Sequence, residues 1–220
     1  MKILFISLFL ISQYSLALGK TNSEVVQKKT ALEILQKYAN ASHITVDVEK
    51  QDEKLTLGTK SSAKGFIKYS SGKIYLVLNS DKKTELYFKN GKLTLVDYPD
   101  EDFDKNGIRK VTVVTKKTPA FLKSLVDLFS NPKIFFNEFK ITDSNLKNDV
   151  LILSLKPTVD DLKEFKLTLD TKNKTIESIS FVDDVDTKTS IFFKDLNLKR
   201  KISKSTFEYK SKASDQVVTQ

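Results

Sequence analysis

With 220 residues, a formal net charge of +9 and no cysteine, the chain is long enough for one sizeable domain and can build no disulfide framework. Its single histidine, His43, has no second His or Cys with which to share a metal, which argues against a zinc site and a Ser-His-Asp triad. The basic residues are spread along the chain. Their densest cluster, Lys199-Arg200-Lys201, reads as a solvated turn that could also touch phosphate or an anionic surface.

Residues 1–19 start with Met1-Lys2, continue in a largely apolar run from Ile3 to Ile11, and reach small residues at Ser15, Ala17 and Gly19. This is the pattern of a cleaved secretory signal peptide, so residues 20–220 are expected to form a single exported domain with no nucleic-acid partner. No cysteine near the cleavage site is available for lipid attachment. Asn22 and Ser23 offer N-caps for an amphipathic helix over 23–40, with an apolar stripe of Val25, Ala31, Leu32, Ile34, Leu35 and Tyr38.

Strands are expected next. His43–Glu49 and Lys54–Thr59 are the weaker ones; Gly65–Tyr69, Lys73–Asn79, Glu85–Lys89 and Lys92–Asp97 alternate more clearly. Asn90-Gly91 between two alternating runs predicts a type I′ hairpin, because both turn positions need positive φ. Arg109–Thr115 is a further strand. Thr118-Pro119 reads as a cap and first helical position for an apolar helix through Phe121, Leu122, Leu125, Val126, Leu128 and Phe129 that Asn131-Pro132 ends. A short helical turn through Phe135 and Phe136 is allowed.

Strands over 150–155, 165–170, 175–181 and 189–194 follow, and Phe207 and Tyr209 fall on an expected final strand. The order is helix, meander, helix, meander, with no βαβ repeat. It predicts an α+β fold in which one large antiparallel sheet curls around helices.

There is no G-x-S-x-G elbow and no glycine-rich phosphate loop, and the pairs Asp160-Asp161 and Asp183-Asp184 read as solvated turns. The expectation is that the protein is not an enzyme and carries no cofactor. Asp100 to Gly107 begins like a calcium loop, but Lys105 stands where glycine is needed and Val111 where the bidentate glutamate is needed, so no metal is expected.

Several segments resemble the outer-membrane lipoprotein carrier protein (LolA) family. They are Gly65-Phe66-Ile67-Lys68-Tyr69 with Gly72-Lys73-Ile74-Tyr75, the run Asn90 to Tyr98, Thr118-Pro119-Ala120-Phe121-Leu122, Leu153 to Pro157, Ile179 to Asp184, and Asn197 with Phe207-Glu208-Tyr209. The chain departs from the family in two places. Ser70-Ser71-Gly72 replaces the family's Arg-Pro pair, so no residue inherits that arginine's part in passing cargo on. The family tryptophan is missing, with Val77 and Leu95 in its approximate places.

The resemblance implies an unclosed antiparallel β-barrel, a half-barrel, covered by α-helices around an apolar hollow for acyl chains. It further implies a monomeric periplasmic chaperone that takes acylated lipoproteins from an inner-membrane ABC transporter like LolCDE to an outer-membrane receptor or the membrane. A lipid or glycolipid carrier and a lipoprotein-sensing regulator are the alternatives on the same fold. The residues expected to bind lipid are Phe66, Ile74, Leu76, Leu78, Leu86, Phe88, Leu93, Leu95, Phe165, Leu167, Leu169, Ile179 and Phe181, closed over by Leu122, Leu125 and Phe129. Fifteen phenylalanines without a tryptophan supply bulky walls free of polar atoms.

Overall fold

The computed structural model describes residues 24–100, 107–116, 118–158 and 161–220. The expected signal peptide, the N-caps Asn22 and Ser23, and most of the acidic loop after Asp100 lie outside the described residues.

Helix α1 covers residues 24–39. Ala31, Ile34, Leu35 and Tyr38 recur at helical spacing, and all are buried against the sheet. Val25, expected on that stripe, is 64% exposed, as is Val26 beside it at 62%. Tyr38 ends the buried stripe. Its hydroxyl accepts a 2.8 Å hydrogen bond from the Ile176 amide, and burial pushes its pKa up to about 12.

A meander follows: β1 (Ile44–Lys54), β2 (Thr59–Ser70), β3 (Lys73–Asn79), β4 (Lys83–Lys89), β5 (Lys92–Asp97) and β6 (Lys110–Val114). Asn90 and Gly91 have φ of 53° and 75°, and Ser71 and Gly72 repeat that geometry at 49° and 76°. The strand expected over Lys54–Thr59 is instead the β1–β2 turn. Leu55 and Leu57 alternate as a strand would, but Gly58 takes φ +64° and its amide bonds back to the Lys54 carbonyl at 2.8 Å.

Helices α2 (Ala120–Ser130) and α3 (Pro132–Glu138) interrupt the strands. Pro119 occupies the N-cap position of α2 without a side-chain bond; the Thr118 hydroxyl donates instead to the Gly91 carbonyl at 3.5 Å. The break between the helices is built by Asn131, whose side chain accepts from the Ile134 amide, and by Pro132 in the first turn of α3.

The second meander is β7 (Phe139–Lys147), β8 (Val150–Pro157), β9 (Leu162–Asp170), β10 (Thr175–Asp183) and β11 (Thr187–Asn197). Strand β7 has no counterpart among the expected strands. It lies at the sheet edge and buries only Phe139, and its alternation stops after Phe139-Lys140-Ile141-Thr142 in the polar run Asp143-Ser144-Asn145, too short a signal to mark a strand. The final strand expected at Phe207 and Tyr209 is replaced by a 3-10 helix, Lys204–Phe207. Ser203 caps it, and it buries Phe207 against β3 and β4.

All the strands join one 12-stranded sheet in the order β12-β6-β5-β4-β3-β2-β1-β11-β10-β9-β8-β7, where β12 (Gln216–Thr219) pairs parallel to β6 and every other pair is antiparallel. The sheet does not close, since β12 and β7 remain its edges. Its inner face meets α1, α2 and α3 in one apolar cluster. A run of aromatic rings crosses that cluster: Phe139 lies 4.6 Å from Phe135 and 4.9 Å from Phe165 between ring centres, Phe165 6.4 Å from Phe181, and Phe181 5.5 Å from Phe121.

Gly65 lets β2 and β3 approach closely. A Cβ there would lie 1.8 Å from the Val77 carbonyl oxygen of β3, so only glycine permits this approach of backbones. Gly65→Ala is expected to cost about 3 kcal/mol or more, as overpacking against backbone that no rotamer relieves, and urea denaturation would measure it. An unchanged midpoint would contradict the close approach.

The C-terminal segment is held by Arg109, which is 8% exposed. Its guanidinium makes two 2.7 Å bonds to Asp215, which also accepts from the Lys212 amide and the Tyr209 hydroxyl. The Arg109 contact holds the Asp215 carboxyl far below the ordinary 3.8. A carboxyl depressed on folding stabilises the fold above its unfolded pKa and loses that contribution as pH falls through the folded value. Below about pH 4, therefore, β12 should loosen from β6. The readout is reduced protection from hydrogen exchange, relative to the unfolded chain at the same pH, at the Gln216 and Gln220 amides, which bond to the Arg109 and Val113 carbonyls. Asp215→Asn should remove most of this pH dependence.

Candidate functional site

The inner face is not covered evenly. At one end the helices lie on it; at the other, where β1 ends and β2 begins, it stays open around a cavity of about 650 Å³. That volume lies within the roughly 300–1,000 Å³ of typical ligand pockets. Leu76 and Leu78 of β3, Leu86 of β4, Leu95 of β5 and Phe181 of β10 form its apolar wall, and Phe121 in the first turn of α2 closes one side.

Strand alternation explains these positions, and also why the wall turns polar. Along β1 the inward residues pass from Ile44, Val46 and Val48 to Lys50 and Asp52. Lys50 pairs with Asp52, and the Thr189 hydroxyl of β11 donates to Asp52 at 2.6 Å. Thr189 is only 6% exposed, so this hydrogen-bonded ledge is part of the wall rather than its surroundings. Lys82 of the β3–β4 turn, and Asp183 and Asp184 where β10 turns into β11, also border the cavity. Asp183 is more than a solvated acid: it accepts from the Thr187 amide at 2.7 Å and the Val185 amide at 3.1 Å, fixing that turn. The site is thus an apolar hollow with one hydrogen-bonded polar wall, suited to an amphiphile with its tail inside and its head at the mouth.

Of the residues expected to contact lipid, Leu76, Leu78, Leu86, Leu95 and Phe181 border this cavity. Ile74, Phe88, Leu93, Leu122, Leu125, Phe129, Phe165, Leu167, Leu169 and Ile179 are instead buried in the cluster where helices meet sheet. Phe66 lies on the other face. Ile67 and Tyr69 are the inward residues of β2, and the Phe66 ring packs edge-on against Tyr75, 5.7 Å away, with the Lys68 ammonium 5.0 Å above it. The adjacent pair Phe66-Ile67 offers two apolar candidates for one inward position, and the pairing of β2 with β1 decides between them. Val48, Ala63, Phe121, Leu162 and Ile191 border the cavity but were not expected there. Extending the alternation of β1 past Glu49 would have revealed Lys50 and Asp52.

The family described as outer membrane lipoprotein carrier protein LolA matches residues 81–210. No curated protein matches the chain by sequence. Similar solved structures include an uncharacterized conserved protein from Thermus thermophilus, with 6% identity over 87% of this chain and 98% of that one at a TM-score of 0.47. A LolA superfamily protein from Nitrosomonas europaea has 9% identity, covering 81% and 97%, with a TM-score of 0.39. LprF from Mycobacterium bovis has 10% identity, covering 80% and 95%, with a TM-score of 0.42. With the family match running from just before β4 to beyond the 3-10 helix, the chain belongs to the outer membrane lipoprotein carrier protein LolA family.

Proposed function

We propose that this protein is a periplasmic chaperone that holds the acyl chains of a lipoprotein in the cavity beside α2 and shuttles it from the inner to the outer membrane. In this reading residues 1–19 are removed on export and residues 20–220 act as one monomeric, non-catalytic domain. Cargo arrives from an inner-membrane ABC transporter and leaves to an outer-membrane receptor or the membrane. The observation that supports it is the open apolar hollow at one end of a face that the protein's own helices fill at the other.

The energetics require such a hollow. At roughly 0.8 kcal/mol per buried methylene, a chain of about 15 methylenes costs about 12 kcal/mol to leave in water. A carrier offsets most of that cost, and only its difference in affinity from the acceptor moves cargo onward. Leu76, Leu78, Leu86, Leu95, Phe121 and Phe181 would take the chains, while the Lys50–Asp52–Thr189 ledge would keep the polar head at the mouth.

Native mass spectrometry of the protein isolated from the cell envelope tests this. An adduct with the mass of an acylated peptide supports the lipoprotein carrier, whereas a free lipid adduct assigns the same cavity to lipid transport. No adduct, together with no uptake of a fluorescent acyl probe, would overturn both.

A further inference from the structure

The β1–β2 and β10–β11 hairpins reach past the cavity mouth and end side by side. The Leu55 amide bonds to the Asp186 carbonyl at 2.9 Å, and β1–β11 pairing continues to Lys54 opposite Thr187. On these joined tips Leu55, Leu57 and Val185 are 48%, 70% and 71% exposed. Single exposed apolar residues are ordinary on a surface. Three on two tips locked together form one rigid apolar edge, and turn formation needs none of them to be apolar: Gly58 and Asp183 make the turns.

Outside that edge, the groove that Leu55 overhangs is lined by Lys156, Lys163, Lys166 and Lys188 against one acid, Glu164. Lys163 pairs with Asp186, while Lys156, Lys166 and Lys188 have no ion pair among the described residues. Inside it lies the cavity, bounded by Asp52 and Ser61 of the same hairpin and Asp183 and Thr189 of the other. Apolar tips beside a cationic groove match a bilayer with anionic headgroups: the leucines enter the interface, and the lysines meet the lipid charge.

We propose that these tips dock the protein on an anionic lipid surface, bringing the cavity mouth to the headgroups. The role of docking in handing over an acyl chain rests on the carrier reading; docking itself does not. Because the tips are already joined by strand pairing, little ordering accompanies binding.

The test is flotation of the whole mature chain with vesicles of phosphatidylglycerol and phosphatidylethanolamine, against pure phosphatidylcholine, with acyl-probe uptake measured separately without vesicles. The protein should float with the anionic vesicles at low salt and less at high salt. Leu55→Asp with Leu57→Asp should weaken binding about tenfold or more, and Lys166→Glu with Lys188→Glu should remove the preference for anionic lipid. Both variants should take up probe as the wild type does, since neither pair borders the cavity. Wild-type protein that stays out of the floated fraction, or tip variants that float equally well, would overturn the docking surface. Loss of probe uptake in the wild type would count against the carrier reading alone.

Discussion

Phe129→Ala should lower stability by about 3–5 kcal/mol, the usual cost of emptying a core phenylalanine site. Phe129 is 1% exposed and its ring is shared by three separate elements. It stacks on Tyr38 of α1 at 6.0 Å, meets Tyr69 of β2 at 5.5 Å and approaches Phe193 of β11 at 6.3 Å. No single neighbour can shift to fill the space, because each ring is fixed by its own strand or helix. Urea denaturation measures the loss. A change below about 1 kcal/mol would mean that this end of the inner face is as loosely filled as the cavity end.

Leu78→Arg should do the opposite: leave the fold nearly unchanged and abolish acyl-probe uptake. Leu78 is partly exposed and faces the hollow, so a longer side chain has room and can extend its charged end towards the mouth. There it would exclude about three methylenes of a bound chain, which at roughly 0.8 kcal/mol each is about 2.4 kcal/mol, well over tenfold in affinity before the cost of a charge beside the chain. Fluorescent probe titration alongside thermal melting separates the two effects. Uptake that survives in a folded variant would remove the cavity from the function.

Phe129 and Leu78 both stand on apolar runs, and neither run says which end of the face a helix will cover. Alternation identifies Ile74, Leu76 and Leu78 as facing the same way, yet Ile74 is fully buried in the core while the other two border the cavity. The difference comes from where α2 comes to rest: Phe129 near its end packs on Tyr69, which lies opposite Ile74 in the sheet, whereas only its first turn, at Phe121, reaches the cavity.

Local chemistry was legible wherever it was strong. The hairpin at Asn90-Gly91 follows from the need for positive φ, and the break at Asn131-Pro132 from a missing amide and a side-chain cap. Strand β7 and the parallel strand β12 were not legible. An edge strand need not alternate, and β12 is held by the Arg109–Asp215 contact between groups 106 positions apart.

Residue period and backbone preferences a few residues long were enough for the α+β class, for most of the strands and their turns, and for the family resemblance. They were not enough to separate core from the walls of a hollow, to turn Phe66 outward, or to bring Lys50, Asp52 and Thr189 together on one wall. Those outcomes depend on strand register and on where the helices come to rest, and both are fixed by contacts that no local pattern contains.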